Sequence, residues 1–167
     1  NIPLDIAHRN CKEVDFLLYG KTYTAIGFQN NAGGYELRSQ NFKGSSAPKD
    51  IAFIDNGQKQ VSVFEGFFNY LSLQAMNPRQ GHQEENYLIL NSLSFFEKSR
   101  LTMEKHSYIN LFLDRDAAGI NATRQALQWD KDRYIDRSQF YHNCKDLNDL
   151  LIQNKIPKKS KRIGLCL

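Results

Sequence analysis

Ile109-Asn110-Leu111-Phe112-Leu113-Asp114-Arg115-Asp116-Ala117-Ala118-Gly119 reads as an apolar strand that runs out into two aspartates and a glycine-containing turn. Side chains two positions apart on an extended backbone project to the same side, so Asp114 and Asp116 converge. Two converging carboxylates repel unless a cation lies between them. A hard divalent ion fits, since Mg²⁺ commonly binds through one or two carboxylates together with phosphates. An isolated Asp-x-Asp has a simpler explanation, a solvated turn that caps the following helix. The rest of the chain decides between the two.

Outward from this strand the pattern alternates. Val61–Phe64 reads as a strand, 67–75 as a helix, Tyr87–Leu90 as a strand and 93 to about 105 as a helix. After Ile109–Leu113 come a helix over 119–129, a short strand at 139–141, a helix over 147–155 and a last strand at 163–167. Continuous apolar strands separated by helices predict a parallel sheet covered on both faces. Ligands of such sheets bind beyond the carboxyl ends of the strands. Acids recur there: Glu65 follows Val61–Phe64 and precedes Gly66, and Lys145-Asp146-Leu147-Asn148-Asp149 opens the final helix, where Asp146 or Asn148 also serves as a cap.

The order Glu-Gly, then Asp-x-Asp-x-x-Gly, then Lys-Asp-x-Asn resembles the Toprim domain, a Rossmann-like α/β module shared by bacterial-type primases, topoisomerases and some nucleases. The resemblance is strongest to the primase branch. It runs through Phe64-Glu65-Gly66-Phe67-Phe68-Asn69-Tyr70, Leu113–Gly119 and Lys145–Asp149, roughly residues 59 to 155. Upstream, Ala25–Asn30, Gly33–Arg38, Phe42-Lys43-Gly44 and Pro48-Lys49-Asp50 resemble the basic lobe that precedes Toprim in primases. The combination is similar to primase-type Toprim proteins of mobile and conjugative elements, which carry a zinc module upstream; zinc would belong only there.

The resemblance implies Glu65 as a general acid/base or metal-associated carboxylate, Asp114 and Asp116 as ligands of Mg²⁺ or Mn²⁺, and Asp146 as a further acid of the metal site. It implies that Arg38, Lys43, Lys49 and Lys145 contact phosphates. The implied function is a DNA primase-like core that makes RNA primers on single-stranded DNA by metal-dependent nucleotidyl transfer. Its implied partners are the template, nucleoside triphosphates, and a helicase or mobilisation protein. A Toprim nuclease and a degraded single-strand-binding module are the alternatives. Two departures from the replicative pattern, Asn69 and Asn148 in place of aspartates, each remove a charge and imply a sparser metal site.

The remaining chain fits a two-part organisation: residues 1–58 as a small α+β basic lobe and 59–167 as the Toprim domain. In the first part a helix from Pro3 to about Val14 is expected from Leu4, Ala7, Cys11 and Val14 at helical spacing. Strands follow at 23–28 and 34–38, joined as a hairpin by Asn30-Asn31-Ala32-Gly33-Gly34, then a loop over 43–49 and a strand at 51–54. The chain has 167 residues, 41% hydrophobic and 24% charged, with no apolar run of membrane-spanning length, so no membrane partner is expected. It starts with Asn1, as expected of a piece of a longer protein.

Cys11, Cys144 and Cys166 form no Cys-x-x-Cys pair, which argues against zinc or disulfides within this segment and for a reducing, cytoplasmic setting. The net charge of +4 includes a cluster at Lys155, Lys158, Lys159, Lys161 and Arg162, suited to a polyanion or simply solvated. Gly20-Lys21-Thr22 fails as a phosphate-binding loop because Asp15 stands where its first glycine is required. The four histidines show no ligand spacing. Phe67-Phe68 and Phe95-Phe96 read as core, whereas Phe28, Tyr35 and Phe42 suit either hairpin packing or base stacking.

Overall fold

The computed structural model describes residues 2–76 and 85–155. It opens with α1 (Leu4–Asn10), β1 (Lys12–Leu18), β2 (Lys21–Gln29), β3 (Tyr35–Arg38) and β4 (Lys43–Ser45), and the four strands form an antiparallel meander in chain order. The first helix is shorter than expected. Cys11 is already extended, at φ −128° and ψ 163°. From there Val14, Phe16 and Leu18 alternate with the more exposed Glu13, Asp15 and Leu17. That period of two wins over the helical spacing because β1 pairs along its whole length with β2.

The hairpin between β1 and β2 turns through Tyr19 and Gly20, both at positive φ (49° and 74°), the left-handed geometry that two-residue turns require. Leu4, expected on the apolar face, is 76% exposed, and Ile6 is buried instead. The turn expected at 30–34 is present, with Asn30 Oδ1 accepting from the Ala32 and Gly34 amides. Residues 43–45, expected in a loop, form the edge strand β4 against β3.

The second sheet contains β5 (Ala52–Ile54), β6 (Gln60–Phe64), β7 (Asn86–Ile89), β8 (Tyr108–Phe112) and β9 (Tyr134–Asp136) in the order β5-β7-β6-β8-β9. β6 to β9 are parallel and β5 is an antiparallel edge. Helices α2 (Phe67–Met76), α3 (Arg100–Met103), α4 (Ala117–Trp129) and α5 (Leu147–Lys155) complete it. Alternate residues of one strand feed opposite faces. Phe64, Ile89 and Phe112 meet Phe67 and Leu71 of α2 and Leu147 of α5. Val63, Leu90 and Leu111 meet Phe96, Met103 and Ala126 on the other side. The mixed α/β architecture with a parallel sheet covered on both faces is therefore as the sequence predicts. Ile6 and Phe28 join the first of these cores, and Phe28 stacks on Phe67 with ring centroids 5.2 Å apart. This contact fastens the small lobe to α2.

Two expectations shift. The helix over 93–105 is two short 3₁₀ turns, Leu93–Phe95 and Glu97–Ser99, followed by α3. The strand expected at 139–141 lies at Tyr134–Asp136, and Ser138–Tyr141 is a 3₁₀ turn that buries Tyr141. Its hydroxyl donates to the Leu113 carbonyl at 2.8 Å, bracing the end of β8. Phe42 packs on Phe16 and Phe28 is buried, so packing accounts for both rings. The strand expected at 163–167, Cys166, His82 and the basic cluster beyond Lys155 lie outside the described residues. Among the described residues no helix is long and apolar enough to cross a membrane.

Candidate active site

The pairing of Phe64 with Phe112 aligns the carboxyl ends of β6 and β8, so Glu65 and Asp114 emerge side by side. They open into a cavity of about 240 Å³ whose walls include Arg38, Lys43, Asn69, Lys145 and Asp146. Of the residues expected at the site, Arg38, Lys43, Glu65, Asp114, Lys145 and Asp146 therefore share one cavity. Asp116 sits at its rim through Lys145, and Lys49 lines an adjoining cavity of about 430 Å³ together with Arg38, Lys43 and Asn91.

Asp116 is the N-cap of α4. Its Oδ1 accepts from the amides of Ala118 (3.1 Å) and Gly119 (3.0 Å), so the simple capping explanation holds for that oxygen. Its Oδ2 lies 3.8 Å from Lys145 Nζ, which is also 3.5 Å from Asp114 Oδ2. Asp114 Oδ1 accepts from Asn69 Nδ2 at 2.8 Å. Asp146 caps α5, accepting from the Asp149 amide at 2.8 Å. Gly119 has a reason to be glycine: a Cβ there would lie 2.0 Å from the Asp114 carbonyl oxygen. Gly119→Ala is expected to force α4 off the aspartate turn and cost on the order of 3 kcal/mol, read as a lowered unfolding midpoint together with weakened Mn²⁺ binding.

Electrostatics sharpen the picture. Glu65 Oε2 is buried with no hydrogen-bond partner among the described residues. Burial, then the charges of Asp114 and Asp116, push the Glu65 carboxyl up to about 7. Burial, then Asp146, also raises the Asp114 carboxyl from its ordinary value, against the pull of Lys145 and Asn69. The ammonium of Lys145 is held charged chiefly by Asp114. Arg38 is half-buried: it donates to the Leu37 carbonyl at 2.9 Å and lies over the Phe67 ring, 5.8 Å from its centroid.

Among the described residues no three His, Cys, Asp or Glu side chains gather closely enough to enclose a metal by themselves. The donor set still fits a cation that keeps water and phosphate ligands, because a tethered ammonium already sits between Asp114 and Asp116.

Asn69 and Asn148 do more than subtract charge. The buried Asn69 donates to Asp114 and accepts from the Asn148 amide at 3.3 Å, while Ser72 Oγ donates to Asn148 Oδ1 at 3.4 Å. An ionised aspartate at 69 has no hydrogen to give Asp114. Phe68, expected in the core, is only half-buried and lines the cavity. Asn91 was missed altogether. It holds a φ of 64° just beyond β7, and its buried Oδ1 lacks a hydrogen-bond partner among the described residues. A lone Asn after a strand, tolerant of left-handed backbone, was the only sequence signal for it.

A parallel α/β sheet with carboxylates at neighbouring strand ends, and an antiparallel lobe beside them that turns Arg38 and Lys43 toward the same cavity, defines a Rossmann-like domain with a crevice lined by both carboxylates and cations. The chain belongs to the Toprim-like family, whose sequence model matches residues 62–151. Residues 1–47 match a model described as a domain of unknown function (DUF8464). The structure is similar to the primase fragment of the bacteriophage T7 primase-helicase protein, with a TM-score of 0.67 and 18% identity over 92% of this chain and 67% of that one. A second similar chain comes from a bacteriophage T7 complex of lagging-strand DNA polymerase with primase domains bound to an RNA/DNA hybrid and dTTP. There the TM-score is 0.65 and the identity 17%, over 92% of this chain and 82% of that one. No curated protein matches the sequence. The fold is that of a primase-type Toprim domain.

Proposed function

We propose that this chain is the catalytic core of a DNA primase-like enzyme that joins ribonucleotides on a single-stranded DNA template. The observation that carries this reading is the shared cavity: Arg38 and Lys43 of the antiparallel lobe open onto the same space as Glu65 and Asp114. A lobe that binds nucleic acid and an acidic site for phosphoryl chemistry then act on one substrate, with residues 1–58 presenting the polyanion-binding face and 59–167 the chemistry. Toprim domains generally bind Mg²⁺. When bound, Mg²⁺ or Mn²⁺ offsets charge on the reacting phosphate and helps generate the attacking oxygen.

Asp114 and Asp116 hold that cation, with Asp146 as a further acid. Glu65 takes or returns a proton at its carboxyl. Arg38, Lys43, Lys49 and Lys145 orient template and triphosphate oxygens. A helicase is a natural partner, because the similar bacteriophage T7 fragment comes from a primase-helicase protein.

The test is incorporation of labelled ribonucleotides on single-stranded DNA with Mg²⁺ or Mn²⁺. Metal-dependent cleavage without incorporation would replace the primase reading by the nuclease one, and EDTA-insensitive binding without either would leave a binding module. Lys43→Ala and Lys49→Ala are each expected to weaken single-strand binding about equally for all sequences. Each should also lower the slope of log K against log salt by roughly 0.7, as read by fluorescence anisotropy at several salt concentrations.

A further inference from the structure

The geometry points to Lys145 as an exchangeable counter-ion: its ammonium holds the Asp114 and Asp116 carboxylates together before a divalent cation arrives, and is then released to the substrate phosphate. The inference rests on the proposed metal site and concerns what this chain does there.

The backbone of Lys145 is pinned. Its carbonyl accepts from the Arg115 amide at 2.8 Å, the residue between the two aspartates, and its own amide donates to Asp149 Oδ2 at 3.2 Å. The side chain is the opposite: 60% exposed, with ion pairs of 3.5 Å to Asp114 and 3.8 Å to Asp116. A fixed anchor with a flexible four-carbon stem lets the ammonium leave one anion for another without moving the fold.

The need for a counter-ion is plain, since Asp114 is largely buried, Asp146 and Glu65 share its cavity, and Glu65 carries an oxygen with no hydrogen-bond partner among the described residues. Without some cation these acids repel. A divalent ion seated between Asp114 and Asp116 must displace the ammonium, because like charges do not share that space. The freed ammonium lies in the cavity that Arg38 and Lys43 also line, where a triphosphate is the available anion. Lys145 therefore opposes metal binding in the empty site and favours it once phosphate is present.

The experiment measures Mn²⁺ binding by electron paramagnetic resonance of free ion, with and without a non-hydrolysable nucleoside triphosphate, for the wild type, Lys145→Met and Lys145→Arg. Circular dichroism confirms folding. Without nucleotide, Lys145→Met is expected to bind Mn²⁺ about fivefold more tightly, and Lys145→Arg to bind like the wild type. With Mn²⁺ present, Lys145→Met is expected to bind the triphosphate about tenfold more weakly. Unchanged or weaker Mn²⁺ binding by Lys145→Met overturns the inference, as does tighter binding by Lys145→Arg or an unchanged triphosphate affinity in Lys145→Met. Failure of the metal site itself reads differently: neither the wild type nor Lys145→Met then binds Mn²⁺, and both readings fall together.

Discussion

Replacing Asp114 and Asp116 together by asparagine is expected to lower template-dependent synthesis by about a thousandfold or more, roughly 4 kcal/mol of transition-state stabilisation, while the protein stays folded. The substitution is chosen for what it preserves. Asp116 Oδ1 caps α4 through the Ala118 and Gly119 amides, and asparagine is an equally good N-cap. Asp114 Oδ1 takes the Asn69 hydrogen, and an amide oxygen accepts it as well. What disappears is charge, and with it the ion pairs to the exposed Lys145, worth about 1 kcal/mol or less. Alanine would confuse the result, since it removes the cap at 116 and strands the buried Asn69 donor at a cost of about 1–3 kcal/mol. Incorporation assays, Mn²⁺ binding and thermal melts separate these effects. Synthesis that persists in the double asparagine variant would end the metal reading of the aspartate pair.

The aspartate turn was legible because its strand could be read alone: five residues, apolar but for Asn110, bounded by a turn, with the same pattern repeated at Val61–Phe64. Where two periods competed, the sequence misled. Cys11 and Val14 suit a helix continuing from α1 as well as an alternating strand, and only the pairing of Val14 with Ala25 across the hairpin decides it. The run from Leu93 to Met103 has apolar residues at helical spacing and does bury Phe96 and Met103. The Ser92 hydroxyl, however, takes the Ser94 amide and starts a tighter turn. β9 was misplaced because Gln139-Phe140-Tyr141 looks more strand-like than Tyr134-Ile135-Asp136. The pairing of Ile109 with Tyr134 is a long-range choice. At the site, residue types pointed to the carboxylates and cations, but not to the hydrogen bonds among them. Asn69 reads as a lost charge in one dimension and as the donor to Asp114, 45 residues away, in three.

Glu65→Gln is expected to lower synthesis by a factor of about 10² to 10⁴, the usual share of a proton-transferring group, and at the same time to stabilise the metal-free fold at alkaline pH. The sign follows from the Glu65 carboxyl lying at about 7 in the folded protein, against an ordinary value of 4.5. Below the ordinary value both folded and unfolded chains hold the proton, and the wild type has its full stability. Between the two values the unfolded chain has released it while the folded chain keeps it, so raising the pH favours unfolding. The loss levels off above the folded value, after about 3 kcal/mol at most, because the carboxyl is partly exposed and solvent screens it. Glutamine has no such slope. The unfolding free energies of the two proteins should therefore diverge between about pH 4.5 and 7 and run parallel above that window. Parallel curves throughout would remove the buried, charge-crowded carboxyl from the account. Mn²⁺ should stabilise the wild type more than Glu65→Gln at pH 8, because the wild type is then largely ionised at Glu65 and the ion offsets that buried charge beside Asp114 and Asp116. A carboxyl near half-protonation at neutral pH is shifted toward its ionised form by an arriving cation, so on the proposed reading the base becomes more available when the metal is in place.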